Sequence, residues 1–311
     1  MSLVKANNLK LRHFQYVLAV AETKSFTRAA ELCFVTQSTL SSGIKDIEMQ
    51  LGHDIFDRSR REINLTAFGA QLLPEIQDVL RKSDHILTMS RNIDGDYAGP
   101  FRLGIIPTIA PYLLPYLLPH LRRSQPKLDL ILHESVSETL VNDVAKGHID
   151  AALLAFPYDI GDLEHETLFD EGFYLLKPKE GDNPPFLESD EIDASSLLLL
   201  DDGHCLRDHA LAVCANQNPE ERKTFRATSL TTLVQMVRHG YGTTLLPEMA
   251  VREFRAFEDL TAIPIRDNGS RRQIGLIWRK KSPLQNVIRT LGAEIGHVND
   301  SELDNTGLNV A

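Results

Sequence analysis

Three short helical patterns follow one another near the start of the chain. Over residues 11–21, Leu11, Phe14, Tyr16, Val17, Leu18 and Val20 recur at the spacing of a helix with one buried stripe. Ser25 stands where a side chain can cap a second helix over 26–34, which carries Ala29, Ala30, Leu32 and Cys33. After a break at Val35, Thr36 caps a third helix from 37 to about 51, ended by Gly52. Leu40, Ile44, Ile47 and Leu51 share its core face, and Cys33 reads as core too. Two short helices joined by a tight turn make a helix-turn-helix. Gln37, Ser38, Thr39, Ser41 and Ser42, with Thr36 and Lys45 beside them, are the polar side chains expected to meet base edges in a major groove. Residues 54–66 read as two short strands around a basic turn, a wing. Its Arg58, Arg60 and Arg61 suit phosphates or a minor groove, unless the turn is only solvated charge.

The pattern then changes twice. From 66 to about 91 the apolar residues Phe68, Leu72, Leu73, Ile76, Val79, Leu80, Ile86 and Leu87 recur every three or four, predicting one long linker helix. Pro74 predicts either a kink or a place near its first turn. Such a stripe needs a partner. Residues 92–100 are hinge-like, with Gly95, Gly99 and Pro100 among polar residues. Beyond them, strands expected at 101–106, 128–132, 149–155, 172–176, 196–200, 243–246 and 273–278 alternate with helices at 111–121, 138–146, 206–215, 230–239, 247–254 and 284–295. That alternation predicts an α/β body.

At 311 residues the chain is long enough for two or three domains. The net charge of −10 argues against nucleic acid, but its distribution does not. Through Thr66 nine Lys and Arg face seven Asp and Glu, leaving +2 on the head and −12 on the rest. No run of 18 apolar residues occurs, and the first eight residues lack the apolar core of a signal peptide. A cytoplasmic chain without membrane contact is expected, its three cysteines resting reduced. No Gly-rich phosphate loop, G-x-S-x-G or paired zinc motif appears, so neither a conventional enzyme nor a cofactor is indicated.

The candidate chemistry lies in a pair of cysteines, Cys205 and Cys214. The stretch after Gly203 reads as a helix with Leu206, Ala210 and Val213 on its apolar side. Nine residues along a helix advance about 13.5 Å. A disulfide needs Cα atoms roughly 4.4–6.8 Å apart, so the pair can bond only if the helix unwinds. Cys205 falls at the expected helix start, between His204 and Arg207, where the helix dipole and positive charge favour thiolate. Three readings stay open on spacing alone. The cysteines are inert and buried, they form a redox pair, or with His204 and His209 they hold a metal.

A resemblance narrows the field. Ser25-Phe26-Thr27-Arg28-Ala29-Ala30, Gln37-Ser38-Thr39-Leu40-Ser41, Ile47-Glu48, Leu51-Gly52, Phe56-Asp57-Arg58 and Leu65-Thr66 with Gly69 resemble the signature of LysR-type transcriptional regulators. The resemblance implies a winged helix-turn-helix at 1–66, a linker and dimerisation helix at 67–95, and a two-lobed, periplasmic-binding-protein-like sensor at 96–311. It also implies lobe crossings near 170 and 270.

Further stretches are similar to the peroxide-sensing branch of that family. They are Gly104-Ile105-Ile106-Pro107-Thr108, Leu132-His133-Glu134, Asp202-Gly203-His204-Cys205-Leu206-Arg207-Asp208, Phe225-Arg226-Ala227-Thr228-Ser229-Leu230, and Arg271-Arg272 before Ile274-Gly275-Leu276. The resemblance implies that Cys205 reacts with hydrogen peroxide and Cys214 resolves the product as a disulfide. Thr108, His204 and Arg272 would line the peroxide pocket. Where the family pattern has a second pocket threonine, this chain has Ser137, which keeps the hydroxyl and loses the methyl. Implied partners are double-stranded DNA with two half-sites, RNA polymerase, further copies of the chain as a dimer of dimers, and a thiol reductant such as glutaredoxin or thioredoxin. The alternative is a LysR-type regulator whose inter-lobe cleft binds a small metabolite.

Overall fold

The computed structural model describes residues 9–57, 63–91, 97, 99–179, 181–213, 226–254, 257–266 and 271–303. The chain divides into two compact units, Met1–Ser90 and Arg91–Ala311.

The first unit is built from local signals. Helices α1 (Leu11–Thr23), α2 (Phe26–Leu32) and α3 (Gln37–Leu51) are followed by β1 (Phe56–Asp57), β2 (Asn64–Leu65) and α4 (Ala67–Arg91). Ser25 accepts the Arg28 amide and caps α2, and Thr36 accepts the Thr39 amide and caps α3. Helix α2 stops earlier than expected, because Phe34 sits at a positive φ of 53° and turns the chain. Tyr16, Val17, Ala29, Ala30, Leu40, Ile44 and Ile47 form the small core. A Cβ on Gly43 would lie 2.8 Å from the Tyr16 ring, so α1 can approach α3 this closely only at a glycine. Strands β1 and β2 pair antiparallel, as the wing reading expected. Glu48 is buried, and its Oε1 accepts the Ile55 and Phe56 amides, tying the wing's first strand to α3. The first turns of α4 pack on this core through Phe68, Leu72, Leu73, Ile76 and Leu80, while Val79, Ile86 and Leu87 are exposed. Pro74 lies inside α4.

The second unit carries β3 (Gly99–Ile105), α5 (Ala110–Ser124), β4 (Leu128–Glu134), α6 (Ser137–Lys146), β5 (Ala151–Phe156) and β6 (Glu164–Pro178). It continues with β7 (Leu199–Leu200), α7 (Cys205–Val213), β8 (Arg226–Ala227), α8 (Leu230–Arg238), β9 (Thr244–Pro247), α9 (Glu248–Phe254), β10 (Leu260–Pro264), β11 (Arg271–Trp278) and α10 (Gln285–Val298). Strand β5 is buried at every position, as befits a strand with neighbours on both edges and helices on its faces. The sheet order is β10-β6-β11-β5-β3-β4, with β9 also on β6. The β3 pairings to β4 and β5 are parallel, and those of β11 and β6 are antiparallel.

Strand β6 makes the two-lobed body. It is 15 residues long, not the five expected. Its first half pairs with β11, and its second half pairs with β10 and β9. It therefore runs unbroken through the expected crossing near 170. The second crossing was expected near 270, and residues 267–270 lie outside the described residues. Strand β10 was not foreseen. Five residues ending in proline give too short a pattern to separate from a loop.

Candidate functional site

The register of β11 against β6 puts Arg272 opposite Glu171. Both side chains are buried, and Arg272 has no exposed surface at all. Its Nε donates to Glu171 Oε2 at 2.7 Å. Nη1 donates to Thr108 Oγ1 at 3.0 Å, and Nη2 donates to the Thr108 carbonyl at 3.2 Å. Glu171 Oε1 accepts the Met249 amide at 2.7 Å. Burial raises the Glu171 carboxyl above its ordinary range, opposed by the Arg272 guanidinium and the Met249 amide. It only accepts from both donors, the pattern of a carboxylate, and the buried pair is ionised. Arg272 thus clamps the turn after β3 to the β6–β11 crossing. Because Thr108 Oγ1 accepts from the guanidinium, its own hydroxyl hydrogen remains to be donated.

Two helix starts carry the other buried candidates. Ser137 opens α6, fully buried, and its Oγ has no hydrogen-bond partner among the described residues. Cys205 opens α7 as a buried free thiol. Gly203, at φ +90°, makes the turn into α7, a conformation that L side chains rarely adopt. A Cβ there would lie 3.7 Å from Val136, so the α7 approach lies against the residue before Ser137. Burial raises the Tyr158 hydroxyl, and Glu138, Cys205 and Asp208 add to that rise, marking Tyr158 as a neighbour of both helix starts. His204 is mostly buried, which lowers its imidazole against the opposing pull of Asp201.

Arg207, the nearby positive charge noted from sequence, is engaged in an ion pair with Asp202. Cys214 lies outside the described residues, as do Arg58, Arg60 and Arg61 of the wing turn. Of two further buried residues, Glu171 was not singled out from sequence, and His209 only as a possible metal ligand beside the cysteines. Glu171 had no local signal, since its partner is 101 residues away. His209 had one, its place four residues after Cys205 on the same helix face.

On α3, Gln37, Ser38, Thr39, Ser42 and Lys45 are exposed and Ser41 is half-exposed, while Leu40, Ile44 and Ile47 are buried behind them. Thr36 serves the cap, and Gln37 Oε1 accepts from Thr27 at 3.3 Å.

Residues 11–70 match the model of the bacterial regulatory helix-turn-helix protein, lysR family, and residues 94–299 match the LysR substrate binding domain. The chain belongs to the LysR family of transcriptional regulators. It is 38% identical over 277 residues to the HTH-type transcriptional regulator EstR of Acinetobacter baylyi, covering 88% of this chain and 92% of that one. It is 35% identical over 298 residues to the dual regulator OxyR of Escherichia coli, covering 95% and 98%. Among solved structures, a full-length cysteine-to-aspartate variant of OxyR from Pseudomonas aeruginosa matches with a TM-score of 0.70 at 33% identity, covering 93% and 95%. A peroxide-bound cysteine-to-serine variant of OxyR from Corynebacterium glutamicum matches with a TM-score of 0.65 at 30% identity, covering 95% and 94%. Among the described residues no helix is long and apolar enough to cross a membrane.

Proposed function

We propose that this chain is a cytoplasmic, DNA-binding transcription regulator switched by hydrogen peroxide at Cys205. The observation that carries the reading is a buried free thiol at the start of α7, a helix whose His209 lies within electrostatic reach of Arg272, the residue that holds Thr108. The Cys205 thiolate attacks one peroxide oxygen and the O–O bond breaks. The sulfur becomes a sulfenic acid, and the other oxygen leaves as water after taking a proton. Cys214 then attacks the sulfenic sulfur, giving a disulfide and a second water. The positive charge of Arg272 stabilises the thiolate and the departing hydroxide, and the Thr108 and Ser137 hydroxyls orient the peroxide. His204 walls the site.

A disulfide across nine residues cannot form on an intact helix, where the ends stand about 13.5 Å apart. Closing it unwinds α7 and repacks the cluster, and the second unit passes this change to the DNA-binding head. Residues 1–66 read DNA, 67–95 link and dimerise, and 96–311 sense. Gln37, Ser38, Thr39, Ser41, Ser42 and Lys45 face two half-sites, with Thr36 capping their helix and Arg58, Arg60 and Arg61 on phosphates. Exposed Val79, Ile86 and Leu87 support a partner copy along α4, and the full assembly is a dimer of dimers that contacts RNA polymerase. Thioredoxin or glutaredoxin resets the switch.

Peptide mapping after one equivalent of peroxide tests the chemistry. Cys205 linked to Cys214, with Cys33 still reduced, is the expected result; burial raises the Cys33 thiol, leaving less thiolate there. Cys33 oxidised first, or Cys205 untouched, would contradict it. The match of residues 94–299 to the LysR substrate binding domain keeps a second reading in view, a cleft that takes a small metabolite. A ligand that shifts DNA binding under reducing conditions would favour that one.

A further inference from the structure

His209 lies one helical turn after Cys205 on α7, and helical side chains lean toward the helix N-terminus, so its ring leans toward the thiol's turn. The ring is buried, packed 6.4 Å from Phe173. Its Nε2 lies 3.2 Å from the Pro157 carbonyl. A carbonyl oxygen can only accept, so the proton sits on Nε2 and Nδ1 carries a lone pair. That Nδ1 is buried and meets no partner among the described residues. Ser137 Oγ, at the start of the neighbouring helix, is buried without a partner as well. Two unpartnered buried polar atoms near one thiol are costly to a fold, and their placement points to a polar molecule held there during work.

We propose that His209 Nδ1 is the proton acceptor for Cys205. The inference rests on the peroxide reading above. Nδ1, which meets no partner among the described residues, takes the Sγ–H proton across the bound peroxide. The thiolate attacks, the O–O bond breaks, and the departing hydroxide recovers the same proton from the imidazolium and leaves as water. Overall the thiol and one peroxide become a sulfenic acid and one water, with no proton gained or lost. The groups around His209 suit the task. Burial and Arg272 on β11 hold its imidazole below the ordinary value, while the Pro157 carbonyl and Asp208 oppose them. His204 just before the helix, Tyr158 after β5, Glu138 on α6 and Glu171 on β6 are other titratable groups to weigh beside it.

The test compares the full chain with His209→Gln. Glutamine can still donate to the Pro157 carbonyl and present an acceptor oxygen, but it cannot take up a proton. Reduced proteins are mixed with peroxide across pH 5 to 8, and sulfenic acid plus disulfide is followed by quenched mass spectrometry. His209→Gln should keep the wild-type thermal midpoint, react about 100-fold more slowly, and lose a pH-dependent step of the rate profile that lies below the ordinary imidazole value of 6.5. An unchanged rate and profile would overturn the proposal and leave the peroxide reading standing. Wild-type Cys205 that ignores peroxide would overturn both. If the variant's midpoint falls, the wild-type chain alone decides: a solvent deuterium effect on the peroxide rate supports proton transfer in the step, and its absence overturns it.

Discussion

The polar face of α3 and the buried set of Thr108, Ser137, Cys205 and Arg272 differ in how far water reaches them. On α3, Gln37, Ser38, Thr39, Ser42 and Lys45 project from a helix whose stability is set by Leu40, Ile44 and Ile47 behind them. At the other site Thr108, Ser137, Cys205 and Arg272 are each no more than 2% exposed. The exposed face can change its partner without disturbing the fold. The buried group cannot change a charge without disturbing its own support, since Arg272 on β11 ties Thr108, in the turn after β3, to Glu171 on β6. A sensor gains from that coupling, because a small chemical event then has a structural consequence.

The sharpest way to break the contrast is at Arg272. Arg272→Ala strands Glu171 in the interior and should cost about 3–5 kcal/mol of folding stability by urea titration. Arg272→Met with Glu171→Leu should recover most of it, and a loss under 1 kcal/mol for the single change would refute the clamp. On the exposed face the effect moves to binding. Gln37→Ala should weaken DNA affinity by about 1–3 kcal/mol if it meets a base edge, with stability changed by less than ~0.5 kcal/mol. Equal losses of stability and affinity there would erase the distinction. Ser137→Ala separates work from support within the buried site. Removing an unpartnered hydroxyl should leave stability unchanged or raise it by about 1 kcal/mol, while peroxide oxidation of Cys205 slows.

The pH dependence is the smallest expected effect. Burial lowers the imidazoles of both His204 and His209 from the ordinary 6.5, so the unfolded chain takes up protons first as pH falls. The stability owed to the neutral rings is complete above pH about 6.5 and is lost below it. Thermal melts at pH 7.5 and 5.5 read this directly, and His204→Gln with His209→Gln should flatten it.

The two regions also differed in how far they could be read from the chain. Helix α3 advertised itself, because its cap, its stripe and its closing glycine lie within 17 residues. Cys205 and Cys214 were visible as a pair with His204 beside them, and Thr108 and Arg272 came from resemblance, not from pattern. The buried state of Arg272 was not legible. A lone arginine looks like a surface ion pair until the strand register places Glu171 opposite it. Glu48 escaped for the same reason, its acceptors' partners being backbone amides of the wing. The length of β6 was hidden by its first half, where Glu164, His165, Glu166, Asp170 and Glu171 interrupt any apolar alternation.

The most direct test of the central claim is a DNA footprint of reduced and peroxide-treated protein, for the wild-type chain and for Cys205→Ser. The account predicts a footprint that changes with peroxide in the wild type and stays fixed in the variant. A Cys205→Ser protein whose footprint still answers to peroxide, or a wild-type footprint unmoved while Cys205 is oxidised, would contradict it.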